Sequence, residues 1–263
     1  MGDPVSRMNF ANVRHRLHTI VPPILFIVVA IIAWEIVVRA LDIRPIFLPA
    51  PSFVIEEAIG TRSKLLSETL ATFNEAIAGF AISIVTAVLV AVMFIYSQFL
   101  RRGLLPLFIL IESTPQVAFA PLLLVWFGYG FLPKMFVALL VCFFPIVVDT
   151  TAGLNAVEPE LLDLSRILQA SNLKILLKIR LPNSIPYFFN GLKTASALSV
   201  VGALVAEFVA TDSGLGLLLL GAQLRFDMAM IIICIFILGL IGIGLYTVTL
   251  LAERVAMPWR RQR

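Results

Sequence analysis

The sequence predicts an all-α, polytopic membrane protein of about six transmembrane helices. Three observations carry that reading. Of 263 residues, 60% are hydrophobic and only 14% are charged, whereas soluble domains hold about 25% charged residues. So few charges cannot cover so much apolar side chain, and the bilayer is the expected solvent. Six apolar runs are each long enough to cross it, at about 20 residues per helical span. Prolines interrupt the third and fourth of these runs, where freed carbonyls are tolerable only against protein or a wet cavity.

The first run, 20–40, follows Arg7, Arg14 and Arg16. That basic start is like a signal peptide's. The run is too long for one, however, and no small-x-small cleavage site follows, so it reads as an uncleaved first span. The second run is 70–97. The third, 104–127, is interrupted by Pro106, Pro115 and Pro121, and the fourth, 134–152, by Pro145. Runs 194–211 and 229–251 complete the set. Residues 1–19 are expected to form a cytoplasmic tail, 20–251 the transmembrane domain, and 252–263 a basic cytoplasmic tail.

Orientation follows from the loops. With the N-terminus inside, fourteen basic residues are cytoplasmic: Arg7, Arg14, Arg16, Arg101, Arg102, Arg166, Lys174, Lys178, Arg180, Lys193, Arg254, Arg260, Arg261 and Arg263. Only six lie opposite: Arg39, Arg44, Arg62, Lys64, Lys134 and Arg225. The positive-inside rule therefore puts both termini in the cytoplasm and makes 153–193 the longest internal cytoplasmic loop. The small overall excess of 20 basic over 16 acidic residues gives no reason to expect nucleic acid as a partner.

That loop carries an unusual stretch, LLDLSRILQASNLKILLKIRLP at 161–182, in which basic residues sit at helical spacings among leucines and isoleucines. Glu158-Pro159-Glu160 suits a helix start, since proline is tolerated in the first turn and acids complement the positive dipole end. Leu161, Leu164, Ile167 and Leu168 then share a face. Ser171-Asn172 can cap a second helix that ends at Pro182. Two short amphipathic helices outside the membrane are expected. They suit either a lipid surface or a soluble partner.

The same residues carry a resemblance. Asp163-Leu164-Ser165, then Gln169, then Ile179-Arg180-Leu181-Pro182 reproduce the spacing of the "EAA" loop of binding-protein-dependent ABC importer permeases. That loop reads Glu-Ala-Ala, three residues, Gly, nine residues, Ile-x-Leu-Pro. Here Asp163 replaces the acid conservatively and Gln169 replaces the glycine. FLPAPS (47–52), AFAPLLLVWFGYG (118–130), CFFPIVVDT (142–150), VGALVAEF (201–208) and GLG (214–216) resemble, in order, the sulfonate/nitrate/taurine-type subfamily. Importers of thiamine precursors and riboflavin belong to the same group. The resemblance spans roughly residues 45–255.

It implies a type I ABC importer permease fold in a bacterial inner membrane. It also implies a second permease subunit, a homodimer being expected, a cytoplasmic ABC ATPase dimer and an external solute-binding protein. The loop would lodge in a groove of the ATPase through Glu160, Leu161, Asp163, Leu164, Arg166, Leu168, Gln169, Ala170, Ser171 and Lys174. Apolar Leu161, Leu164 and Leu168 would fill the groove, with Arg166 and Lys174 at its charged rim.

The chain has no G-x-x-x-x-G-K-[ST], so ATP and Mg²⁺ are expected on the partner ATPase and no cofactor on this chain. His15 and His18, both near the N-terminus, and Cys142 and Cys234, both inside apolar runs, suggest neither a metal site nor catalysis. The chain is not expected to be an enzyme. Gly214-x-Gly216 reads as a turn.

Ionisable residues inside spans usually face a bundle interior or a wet path. Glu112-Ser113-Thr114-Pro115-Gln116 is the densest polar stretch in any span. Glu112, Ser113, Thr114 and Gln116 are candidates to line the pathway, as is Glu207, which alternatively braces a gate. Asp149 and Glu35 read as structural. With no basic residue assigned to a mid-membrane position, the solute is expected to be a small uncharged or heterocyclic nutrient. An anion such as a sulfonate, taurine or nitrate is the alternative. A self-contained secondary transporter would need two related halves with broken helices, which the sequence lacks. A membrane anchor would not need polar residues inside the third run.

Overall fold

The computed structural model describes residues 4–115, 118–210 and 212–258, with side chains from residue 21 onward. Gln116 and most of the basic C-terminal tail lie outside the described residues. Among these residues the elements are helical, and five helices are long and apolar enough to cross a membrane: Val21–Ala40, Arg62–Tyr96, Phe131–Asn155, Asn172–Val209 and Met228–Ala256. The chain divides into two units, 1–62 with 222–233, and 63–221 with 234–263.

The first unit holds α1 (Pro4–Ala40) and α2 (Pro51–Gly60). Pro51 begins α2, where its missing N–H costs nothing. The side chain that would cap α2 comes from α1. Glu35 accepts the Ser52 N–H at 3.0 Å and the Ser52 hydroxyl at 2.8 Å. Arg39 pairs with Glu35 and donates to Ser52 Oγ at 3.0 Å. The FLPAPS segment is thus a sharp turn pinned to the end of the first span, and Glu35 is structural, as expected.

The second unit contains α3 (Arg62–Tyr96), α4 (Gln98–Ser113), α5 (Phe119–Phe127), α6 (Phe131–Asn155), α7 (Pro159–Ile167), α8 (Asn172–Ile175) and α9 (Leu181–Val209). It also takes most of α10 (Leu215–Arg225) and α11 (Met228–Ala256). Its core lies between α6 and α9, which pack at backbone distance. A Cβ at Gly202 would lie 2.8 Å from Ala138 Cα, and one at Gly191 would lie 2.8 Å from the Pro145 carbonyl. Only glycine admits that approach, and in lipid such packing carries much of helix association.

The third predicted span is the one that departs from a simple rod. It forms α4 and α5, separated around Pro115, where Thr114 is extended at φ −83°, ψ 134°. Proline bars the helical region to the residue before it, so the helix must stop there. Pro121 falls in the first turn of α5, where it is tolerated. The two pieces still traverse the bundle. Ile95 and Tyr96, at the end of α3, line a cleft of about 220 Å³ with residues of α7 and α8. The start of α3 and the start of α6 meet at the opposite end, around Lys134 and Glu75. Helices α3 and α6 therefore run parallel, and the intervening chain must return across the unit. Ring contacts line its route: Phe108 packs edge-on to Phe143 at 5.4 Å, and Phe127 stacks on Phe136 at 4.8 Å.

Two other proline expectations are settled by the backbone. Helix α6 continues unbroken through Pro145. The second loop helix does not end at Pro182. It passes from α8 through a π turn, Leu176–Arg180, straight into α9. The Leu181 N–H bonds back to the Leu176 carbonyl, five residues earlier. That wider turn absorbs the register change imposed by a proline with no N–H to give.

Candidate functional site

Two polar constructions sit at opposite ends of the α6–α9 pair. The first is the loop. Helix α7 starts at Pro159 behind Glu158, as its sequence implies, and ends in a closed Schellman turn. The Ala170 N–H reaches the Ser165 carbonyl at 3.0 Å and the Gln169 N–H reaches that of Arg166 at 2.9 Å. The closing residue must be left-handed, and Gln169 is, at φ +51°. The residue in the family's glycine position therefore adopts the conformation that glycine would favour, at a cost of about 1 kcal/mol. The joint between the helices stays at Gln169. Ser171 then caps α8, accepting the Lys174 N–H at 3.4 Å.

The Schellman turn fixes which face of α7 looks outward. Ser165 is buried against the body, while Leu161, Leu164, Ile167 and Leu168 are exposed, the last two by 77% and 71%. Glu160, Asp163 and Arg166 flank this stripe, and Arg166 pairs with Asp163 at 2.9 Å. Arg180, from the π turn, ties the end of α6 to the loop by donating to the Leu154 carbonyl at 2.8 Å. The predicted coupling residues thus run along α7, its closing turn and the start of α8. A short helix that exposes four large apolar side chains is a surface built to be covered.

The second construction is a hub of buried polar groups. Glu207, at the end of α9, is fully enclosed. It accepts the Thr72 hydroxyl at 2.6 Å and the Gly216 N–H at 2.7 Å. Thr72 in turn accepts the Leu215 N–H at 2.8 Å, and Glu68 accepts the Gly214 N–H at 2.6 Å. The GLG segment is therefore a turn, as read, and its glycines wrap a carboxylate. A Cβ on Gly216 would lie 2.6 Å from the Glu207 Cβ, and Gly214 is itself left-handed at φ +103°.

Beside it Lys134, 0% exposed, pairs with Glu75 at 3.0 Å and with Asp212, and donates to the Ser213 carbonyl at 3.0 Å. Four carboxylates and one ammonium thus tie together the start of α3, the start of α6 and the end of α9.

The hub corrects one sequence-based inference. The sequence places Lys134 at the outer end of the fourth run, Lys193 in the cytoplasmic loop and no basic residue mid-membrane. Lys134 does sit at the start of α6 but is buried among the helices, and Lys193 lies within α9, paired with Glu253. The available signal was on α3, where Glu68, Thr72, Glu75 and Gly79 recur at three- and four-residue steps and form a polar stripe on an apolar helix.

Of the other pathway candidates, Gln116 lies outside the described residues, and Glu112, Ser113 and Thr114 sit at the end of α4. Glu112 and Ser113 are exposed at the end of α4, which buries none of its residues. The Ser113 and Thr114 hydroxyls bond back to the Ile109 and Leu110 carbonyls at 2.7 and 2.9 Å. Asp149, read as structural, bonds to Asn190 on an exposed face.

Five apolar spans, a proline-broken crossing and an intact Ile-x-Leu-Pro loop define a polytopic membrane permease of all-α fold. Residues 79–262 match the family described as binding-protein-dependent transport system inner membrane component, and the chain belongs to that family. It is 30% identical over 252 residues to the formylaminopyrimidine transport permease protein of Halalkalibacterium halodurans, covering 94% of this chain and 99% of that one. To the riboflavin transport system permease protein of Chloroflexus aurantiacus it is 31% identical, covering 87% and 86%. To the nitrate import permease protein of Synechococcus elongatus it is 27% identical, covering 77% and 74%. The expected resemblance to ABC importer permeases holds, and with it a role in membrane transport.

Proposed function

We propose that two copies of this chain form the membrane pathway of an ABC importer for a small uncharged or heterocyclic nutrient. An external binding protein delivers the solute, and a cytoplasmic ATPase dimer grips α7. The loop end and both termini face the cytoplasm, in line with the distribution of basic residues. Gln169 carries this reading. A left-handed glutamine at the motif's glycine position, closing a helix with an exposed Leu161/Leu164/Ile167/Leu168 stripe, keeps the geometry of a docking loop where sequence identity has lapsed.

The solute class rests on two supports. Two relatives near 30% identity are named for formylaminopyrimidine and riboflavin, both heterocycles. The basic residues among the packed helices are neutralised, Lys134 by Glu75 and Asp212 and Lys193 by Glu253, and offer no positive charge to an anion. The nitrate permease relative keeps an anionic solute as the second reading.

The test is a pull-down of the ATPase by wild type and by the Leu164→Ala/Leu168→Ala variant. Each truncation should weaken association by about 1–3 kcal/mol, the usual loss for a buried anchor. Undiminished ATPase binding, with altered binding to anionic vesicles instead, would reassign α7 to the lipid surface.

A further inference from the structure

Polar side chains within membrane spans are either enclosed by their own bundle or face something other than lipid. Glu75, Lys134 and Glu207 are enclosed in the hub, and Lys193 pairs with Glu253 at 2.9 Å. Asp149 on α6 and Asn190 on α9 are not enclosed. The Asn190 amide donates to Asp149 Oδ2 at 2.8 Å, on the exposed surface of the chain. Asn190 lies about 14 Å along α9 from Leu181, at 1.5 Å per residue, within Asn172–Val209, which is long and apolar enough to cross a membrane.

The pair belongs to a patch of limited length. Asn183, Tyr187, Asn190 and Thr194 recur on one exposed face of α9, and the same face turns apolar at Ala197 and Val201. The patch is held by close packing. The Cβ position of Gly191 is 3.2 Å from Asp149 Cβ, so the two helices touch beside the Asp149–Asn190 bond. A carboxylate in the last two turns of a span, on such a face, would not be left against acyl chains.

Its chemistry is that of acceptors. Asp149 brings a carboxylate, and Asn190 brings a side-chain carbonyl. Thr194 spends its proton on the Asn190 backbone carbonyl at 3.3 Å, which leaves its oxygen lone pairs outward. The nearby Lys193 is engaged by Glu253.

We propose that Asp149, Asn190 and Thr194 line the solute pathway, and that they receive a neutral or cationic solute with N–H donors, such as an amino-substituted heterocycle. The proposal rests on the permease reading above and deepens it by naming the contacts. Anions would be repelled at this point.

The test needs no knowledge of the natural solute. With Cys142 and Cys234 replaced by alanine, Thr194→Cys and Val201→Cys are each placed in the assembled complex. Each is reacted with a cationic and an anionic water-soluble methanethiosulfonate, and every rate is normalised to that with free cysteine. A carboxylate about 6 Å away in water favours the cation over the anion by about tenfold. Ten ångströms further along the helix the preference falls to about threefold. Thr194→Cys should therefore react with roughly a tenfold cation preference and Val201→Cys with much less. Asp149→Asn should bring the Thr194→Cys ratio toward one. The contrast between the two cysteine positions remains informative even if Asp149→Asn does not assemble. No reaction at Thr194→Cys with either reagent means a lipid-facing or subunit-sealed face and overturns the proposal. Equal rates for the two reagents overturn it as well. Failure of the ATPase pull-down would leave this labelling result untouched, so the two readings fall separately.

Discussion

Replacing Lys134 by methionine tests whether the hub fastens the bundle. Met has the reach of the lysine stem without its charge, so packing changes little and the ion pairs are lost. The consequence differs among the partners. Glu75 is 2% exposed and lies beside Glu207 in the hub. Its carboxylate cannot turn to water. The Asp212 side chain is 37% exposed and can. The cost should therefore come almost wholly from Glu75, at about 3–5 kcal/mol for a buried charge that loses its counterion.

The same argument makes a sharper statement about the double variant. Lys134→Met/Glu75→Leu removes both charges, and apolar replacement of a buried pair is often near neutral. Most of the lost stability should return, leaving about 1 kcal/mol for the freed Ser213 carbonyl. The assay is unfolding of the purified protein by SDS titration, followed by circular dichroism, with all four members of the cycle measured. A single-variant loss below 1 kcal/mol, or losses that add in the double variant, would refute the reasoning.

Three further outcomes are expected. Gln169→Gly should keep ATPase binding and raise stability by up to about 1 kcal/mol, because it relieves a left-handed backbone; Gln169→Val should lower both, measured by pull-down and thermal unfolding. Gly214→Ala should sharply reduce folded yield, since φ +103° and the adjoining Glu207 carboxylate leave no room for a Cβ, as size-exclusion profiles will show. Cysteines at Gln169 and at Ser63, which lie at the loop end and the hub end of the second unit, should label from opposite faces of sealed cells; labelling from one face would overturn the topology.

How much of this was legible depended on whether the signal was local. The loop was readable because a helix start at Pro159, a cap at Ser171 and an amphipathic stripe are each written in neighbouring residues. Even Gln169 could be flagged from its motif position, though only the backbone could say that it turned left-handed. The break at Pro115 was visible for the same reason. The hub was not, because its members are far apart in the chain: Thr72 and Glu207 are 135 positions apart, and Lys134 and Glu75 are 59. A lone lysine at the start of an apolar run looks like any flanking charge. The Asp149–Asn190 pair was hidden likewise, since an acid inside a span shows its neighbour only when two helices are laid side by side. Pro182 misled for a different reason, because a π turn is a backbone remedy with no side-chain signature.

The uninterrupted stretch from Asn172 to Val209 has a mechanical meaning. At 1.5 Å per residue it is a rod of about 57 Å, with the turn from α7 at one end and Glu207 at the other. Its close approaches to α6 run from Ser184 and Tyr187, against Gly153, through Gly191 to Gly202. A helix seated along so much of its length moves as a stiff beam with its neighbour. A displacement at α7 would be carried along that beam without unwinding a single turn. It would arrive at the polar hub around Glu207.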